Sequence, residues 1–398
     1  MPEPLVVADA AITTTDVAKP WPELEGYTRV LPERVIPLPT KPDMPRFALA
    51  GPVITGDIAV VASSQFGFVA VDWKRGVIAW TKPAGTQVAP PLVLDANELM
   101  LIGDCANPPP VAATEQLIGC LRIVTPTGVD RLYVAIRGKP KAIEAFVAER
   151  GPQRTWRVDE HTIHWKRGDA ALAIDLATGV AKPVAPTPPP VVVEYKGKRW
   201  DIAQVDQKIV GYKGGTKQVA WTTEDPYTAL IGAVWLPEMG PMIRIANAST
   251  RSSMARSSSV ARSSSLARSS SLARSSSEID LIDIDATGSL RAAVAKPTPG
   301  IDVLASAVSS VGDAALAIRL DNSLRRDLIV GYAANAVLMW VYPLPEIQRA
   351  NPIGVAISED ADAVVVFHDG DTITVLPELS APPTTPGAAR ASSKNPTP

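Results

Sequence analysis

The chain has 398 residues, with 41 acidic and 39 basic side chains and a formal net charge of −2, so no global field draws it to nucleic acid or to an anionic membrane. Its 38 prolines argue against a mainly helical protein, because proline removes a helix donor and clashes with the preceding turn. At 46% apolar residues, the composition suits a large core and not a disordered chain.

Residues 1–46 hold nine prolines and read as an extended N-terminal arm, since each X-Pro pair biases the backbone toward β or polyproline geometry. One strand-like piece, Leu5-Val6-Val7-Ala8, lies in it. Met1-Pro2-Glu3-Pro4 lacks the basic stretch of a secretory signal. Cytoplasmic placement is the expectation, or the cell envelope if the cysteines are oxidised.

From 47 to 379, short apolar runs alternate with Gly, Asp and Asn turns. The clearest unit is a strand over 57–63, a second over 67–72, a turn at 73–76 and a third strand over 77–80. Similar units follow at 121–136, 171–179, 209–221, 278–288, 328–340 and 363–375. Their turns fall at 76, 128, 179, 215, 288, 335 and 370. With a low-complexity insert removed, the repeat averages about 44 residues, the length of a four-stranded propeller blade. The predicted fold is therefore all-β: a β-propeller of seven four-stranded blades over 47–379, with six or eight blades as the alternatives. Residues 380–398 lack apolar periodicity and read as a disordered tail. The uncharged run 328–344 is shorter than a membrane span, contains Asn335 and ends against Pro343, so it reads as two buried strands joined at 333–335. No transmembrane segment is expected.

The first unit, Asp72-Trp-Lys-Arg-Gly76-Val-Ile-Ala-Trp80, resembles the D-x-x-x-G-x-x-x-W repeat of the pyrroloquinoline-quinone-like, or quinoprotein-type, β-propellers. Asp175-Leu-Ala-Thr-Gly179 matches its turn, Asp285-Ala-Thr-Gly288 matches it one residue shorter, and Trp221 and Trp340 stand at the repeat's tryptophan position. The glycine permits the tight turn, and the tryptophan packs between blades. The resemblance implies either cofactor-dependent dehydrogenases or non-catalytic scaffolds such as outer-membrane assembly lipoproteins. The enzymes carry an adjacent-cysteine disulfide or basic groups at the quinone, together with calcium ligands. Here the only cysteines, Cys105 and Cys120, are 15 apart, and no calcium site can be assigned. The expectation is the non-catalytic branch, with no cofactor and no metal.

Cys105 and Cys120 end one strand and begin the next, so they bond if those strands pair and are buried thiols if they do not. They are too few for structural zinc. His161 and His164 face opposite sides of a strand, and His368 precedes an Asp-Gly turn; all three are expected to be ordinary surface residues. Asp280, Asp283 and Asp285, and the turn residues Glu359, Asp360 and Asp362, lack the spacing of a dedicated calcium loop. Trp73, Trp165 and Trp235 are candidate exposed anchors for a protein partner, with inter-blade packing as the alternative role.

The insert at 249–277 contains four hexamers of the form apolar-Ala-Arg-Ser-Ser-Ser. Its arginines, Arg251, Arg256, Arg262, Arg268 and Arg274, give it +5 with no acid. Three readings stand: a passive tandem repeat, a regulated basic arm, or a hexapeptide β-helix. In the second, Ser259, Ser265, Ser271 and Ser277 each follow an arginine by three residues, as basophilic kinases prefer, and phosphates would reverse the charge. The arm lacks aromatics for base stacking, and no nucleic-acid partner is expected. The function expected from the whole sequence is a non-catalytic protein-binding scaffold. A quinone-dependent dehydrogenase-like enzyme and an envelope scaffold are the alternatives.

Overall fold

Runs of Val and Ile without a break suit strands covered on both faces, while alternation suits strands with one wet face. A computed structural model shows where each pattern falls. It describes residues 24–38 and 48–379, apart from 64, 86–87, 96–97, 152, 188–189, 196–197, 206–207, 214–215, 223–227, 237–239, 251–276, 286–289, 294–297, 300–301, 310–311, 322–325, 335–336, 346–353, 359, 361 and 378.

The strands come in chain order. A first strand, β1 (Arg34–Pro37), precedes blade 1: β2 (Ala48–Thr55), β3 (Ile58–Ser63), β4 (Gly67–Asp72) and β5 (Val77–Lys82). Blade 2 is β6 (Leu92–Asp95), β7 (Glu98–Gly103), β8 (Gln116–Val124) and β9 (Asp130–Gly138). A helix, α1 (Pro140–Ala148), leads into blade 3: β10 (Gln153–Arg157), β11 (Thr162–Arg167), β12 (Ala170–Asp175) and β13 (Ala181–Val184). Blade 4 is β14 (Val191–Tyr195), β15 (Lys198–Val205), β16 (Lys208–Lys213) and β17 (Thr216–Thr222). Blade 5 is β18 (Thr228–Leu236), β19 (Gly240–Thr250), β20 (Ser277–Asp285) and β21 (Leu290–Ala293), with β22 (Thr298–Pro299) added to β20. Blade 6 is β23 (Asp302–Val308), β24 (Ala314–Asp321), β25 (Arg326–Tyr332) and β26 (Leu338–Pro343). Blade 7 is β27 (Gly354–Ile357), β28 (Ala363–His368) and β29 (Thr372–Pro377), completed by β1. Six of these sheets have four strands and one has five, and neighbours within each are antiparallel.

The continuous runs fall on middle strands, where β3 buries five of its six residues and β28 all six, although the middle strand β11 alternates. Outer strands alternate, as in β5, where Ile78 is buried and Ala79 exposed. The apolar core forms as layers between blades, for example Val61, Val69, Val365 and Phe367 between blades 1 and 7. Innermost strands meet around the ring, β2 with β6 and β27, β6 with β10, and β18 with β14 and β23. At the closing seam the backbones come so near that a Cβ on Gly51 would lie 2.8 Å from the Cα of Gly354.

That seam corrects the expectation of a separate arm over 1–46, because residues 24–38 belong to the ring. Leu24 is buried among blade 5 and blade 6 residues. Next, Val30 N–H donates to Val341 O at 3.1 Å, and Val341 N–H donates to Thr28 O at 2.8 Å, a parallel bridge along the outer edge of blade 6. Finally β1 pairs with β29, matching Ile36 with Ile373, and buries Ile36 in the last layer. The seventh unit therefore takes its fourth strand from the other end of the chain. Its turn at 370 joins second and third strands, whereas the other six join third and fourth. The piece Leu5–Ala8 and the tail 380–398 lie outside the described residues. No helix among the described residues is long and apolar enough to cross a membrane, and the run 328–344 forms β25 and β26.

One docking device recurs at three junctions. Asp72 Oδ1 accepts from Arg75 N–H at 2.8 Å, and Gly76 N–H donates to Asp72 O at 2.8 Å, closing a turn that needs φ +71° at Gly76. Asp175, Thr178 and Gly179 repeat this geometry. Each such turn seats the outer strand of the preceding blade. Trp80 of β5 donates its indole N–H to Pro126 O at 2.7 Å and lies against Gly128, where a Cβ would meet the ring at 2.6 Å. Arg137 of β9 donates to Thr178 O at 2.8 Å, beside Gly179. Arg34 of β1 donates to Lys74 O above Gly76. Arginine thus takes the role that tryptophan has at the first junction.

Candidate interaction face

Because neighbouring strands are antiparallel, the connections of every blade fall on two faces of the disc. On one face lie the links between first and second strands and between third and fourth; all are two to five residues long. The opposite face carries the second-to-third links and the blade-to-blade links. Three of these are long: 104–115 with 12 residues, 139–152 with 14 and 251–276 with 26.

The first long connection leaves β7 and returns to β8. Pairing of Gly103 with Cys120 brings the two cysteines together, and Cys105 and Cys120 form a disulfide with Cα atoms 5.1 Å apart. Asp104 N–H donates to Ala84 O at 2.6 Å where the loop begins. At its end, Glu115 pairs with Arg137 at 2.9 Å. Between them run Ala106, Asn107, Pro108 and Pro110, all exposed, with Pro109 half-buried.

The second long connection contains α1, which the sequence reading missed. Pro140 opens it at a position where a missing N–H costs nothing. Ile143 and Phe146 point inward, and Phe146 meets Trp165 edge to face at 4.8 Å. Arg167, only 3% exposed, lies over both rings, and burial holds its pKa below the usual arginine value. At the helix end Glu149 Oε1 accepts from Arg150 N–H at 2.9 Å and Gly151 N–H at 3.1 Å. These backbone bonds, with one from Asp169, hold its carboxyl below the ordinary 4.5. Between Gln116 and one flank of α1 (Pro140, Lys141, Glu144, Val147), with Arg150 just past its end, runs an open groove of about 520 Å³. The pattern Pro140, Ile143, Phe146, Val147 was the available signal for the helix.

The third connection is the Arg-Ser insert. It joins β19 to β20, whose pairing runs out to Thr250 opposite Ser277. Arg251, Arg256, Arg262, Arg268, Arg274, Ser259, Ser265 and Ser271 lie outside the described residues. Ser277 opens β20.

Other singled-out residues serve the fold. Trp73 is 5% exposed and donates to Gly56 O at 3.2 Å; Trp165 is 0% exposed and donates to Gln153 Oε1 at 2.9 Å. Neither is an exposed anchor, because the inter-blade layers absorb large rings. The side chains of Trp235 and Trp221 and all of Gly288 lie outside the described residues; Trp221, on β17, pairs with Ile209 of β16. Trp340 is buried between blades 6 and 7.

Two of the three histidines also depart from the surface expectation. His368 is 2% exposed, with Nε2 2.9 Å from Thr374 Oγ1 and Nδ1 3.0 Å from Asp369 Oδ2, because the neighbouring strand supplies a hydroxyl inside the sheet. His164 on β11 is half-buried against Trp156, and burial lowers its pKa from 6.5. His161 is exposed and precedes that strand.

Among the described residues no group of three or more His, Cys, Asp or Glu is arranged to hold a metal. Asp362 lies 3.6 Å from Lys74, which also pairs with Asp57 at 2.9 Å, so this turn ties blade 7 to blade 1. Asp360 lies in the same turn; Glu359 and the side chains of Asp280, Asp283 and Asp285 lie outside the described residues.

Neither a family profile nor a curated protein sequence matches the chain. Among solved structures, a chain of the mitotic checkpoint complex is similar at 11% identity, covering 90% of this chain and 94% of its own, with a TM-score of 0.50. Virginiamycin B lyase from Staphylococcus aureus follows at 10% identity, 86% and 98% coverage and a TM-score of 0.48. BamB from Moraxella catarrhalis matches at 10% identity, 83% and 85% coverage and a TM-score of 0.39. At these identities the likeness extends to the fold alone, a β-propeller.

Proposed function

We propose that this chain is a non-catalytic scaffold of the pyrroloquinoline-quinone-like propeller type, which holds protein partners on the face carrying its long connections. The observation that carries the reading is the asymmetry of the disc. Every connection on one face has five residues or fewer, and the connections of 12, 14 and 26 residues all leave the other. Long loops on a rigid ring are the usual means by which a stable fold presents a variable surface. Two interior titratable groups, His368 and Asp327, support the non-catalytic part, because each is engaged in holding strands together. His368 sits between Thr374 and Asp369, and Asp327 is gripped by both Arg319 nitrogens at 2.8 and 3.0 Å.

In this reading the Arg-Ser insert is a charge-reversible arm. Four phosphates, each adding about −1.5 to −2, would turn its +5 negative. A basophilic kinase is then a second partner. Affinity capture from native lysate tests the scheme, using the full chain and a chain with 251–276 replaced by a short Gly-Ser link. A defined partner set that changes on removal of the insert is expected. Identical sets reduce the insert to a passive loop, and the absence of any specific partner contradicts the scaffold. Uptake of added pyrroloquinoline quinone with calcium would contradict the non-catalytic assignment.

The Cys105–Cys120 disulfide favours a second reading, a scaffold working in an oxidising compartment such as the envelope. Fractionation that finds a cytosolic, fully reduced protein would exclude it.

A further inference from the structure

We propose that Asn107-Pro108-Pro109-Pro110, displayed by the stapled loop of blade 2, is a docking epitope for a proline-reading protein module whose groove grips adjacent proline rings between aromatic side chains. The inference rests on the scaffold reading and names a partner class for one part of its surface.

Proline fixes its own φ, and a residue that precedes proline is driven out of the helical region. Asn107, Pro108 and Pro109 each precede a proline, which biases Pro108–Pro110, just past the bend at Asn107, toward the extended, left-handed polyproline form. Such a segment has no N–H at its three prolines, and the polyproline form gives its carbonyls no partner within the segment. A partner must therefore supply flat apolar surface and hydrogen-bond donors, which Trp and Tyr provide together. Position 111 is valine, so the loop has no P-x-x-P spacing, and the reader it fits is one that takes neighbouring rings.

Pro108 and Pro110 are exposed and Pro109 is half-buried, so two rings face outward while the middle one rests on the protein. The loop is fixed at both ends, by the Cys105–Cys120 disulfide with the Asp104–Ala84 bond and by the Glu115–Arg137 pair. A triplet held in this way loses little freedom on binding. It also lies on the elaborated face, on the loop that ends at Gln116 in the wall of the α1 groove.

The test is a calorimetric titration of the full chain with purified WW-type domains, which read adjacent prolines, and with SH3-type domains as the P-x-x-P comparison. Saturable binding to the WW type is expected, weakened at least about tenfold in Pro108→Ala/Pro109→Ala/Pro110→Ala. The prolines at 183–190 remain in that variant, so they serve as an internal control. Cys105→Ser/Cys120→Ser should bind roughly fivefold more weakly through lost preorganisation, with circular dichroism confirming the fold of both variants. Equal binding by wild type and the triple variant, or binding by no WW-type domain, overturns the proposal. Either result leaves the scaffold reading standing, because that reading is tested separately by capture from lysate.

Discussion

On one face of the ring no connection exceeds five residues, while on the other three connections reach 12, 14 and 26 residues. The difference has a mechanical cause. Three of the turns between third and fourth strands are seats: Trp80 rests on the turn of Gly128, Arg137 on that of Gly179 and Arg34 on that of Gly76. A longer turn there would unseat the neighbouring blade. Connections on the opposite face include links that serve as no such seat, and these can lengthen at little cost. The comparison teaches where the chain had room to acquire function.

The largest effect should come from residues 24–38, the N-terminal strap that runs from blade 6 to blade 7. Deleting residues through Pro37 removes β1, the bridge along blade 6 and the buried Leu24 and Ile36, and should cost about 5 kcal/mol or more. Thermal melts should then lose their cooperative transition; a deletion variant that melts like the full chain would show that the ring closes without it.

Next is Arg319→Ala. Asp327 has no exposed side-chain surface, and losing its partner leaves a buried carboxylate uncompensated, at about 3–5 kcal/mol by urea denaturation. The pair joins β24 to β25 at the root of the elaborated face, so the test separates the framework beneath that face from the loops above it.

A paired insertion addresses the comparison itself. Four Gly-Ser residues placed in 125–129 should cost about 2–3 kcal/mol through the loss of the Trp80 seat. The same residues between Ala112 and Ala113 should cost less than about 1 kcal/mol. Equal costs would break the distinction between the faces.

The smallest effect is a pH dependence. Asp175 is held below its ordinary 3.8 by Thr178, and Glu149 below 4.5 by backbone N–H groups. Their stabilisation is complete above those ordinary values and is lost as pH falls through the lower folded ones. His164 acts earlier. Its folded pKa lies below 6.5, so the unfolded chain takes up the proton first, and stability declines as pH falls below 6.5. His164→Gln should remove that first decline in melts between pH 7 and 5 and leave the carboxylate limb.

Much of the framework was legible in the sequence. Middle strands of blades 1 and 7 announce themselves as apolar runs rich in Val, and Asp72–Gly76 and Asp175–Gly179 mark turns with a side-chain acceptor and a glycine. The strap was hidden because β1 finds its partner at β29, more than 300 residues away, and its prolines read locally as an arm. Blade 3's innermost strand, Gln153-Arg-Thr-Trp-Arg157, has too mixed a pattern to stand out. Burial of His368 depends on Thr374 across a hairpin, which the Asp-Gly turn alone does not reveal. The cysteine pair was visible as a candidate, but joining the two required the register of β7 on β8.

Hydrogen exchange on the chain alone and in complex with a captured partner tests the central claim most directly. The account predicts new protection in 104–115 and 139–152, with the turns 73–76, 125–129 and 176–180 unchanged. Protection centred on those turns, with the long connections unaffected, would contradict it.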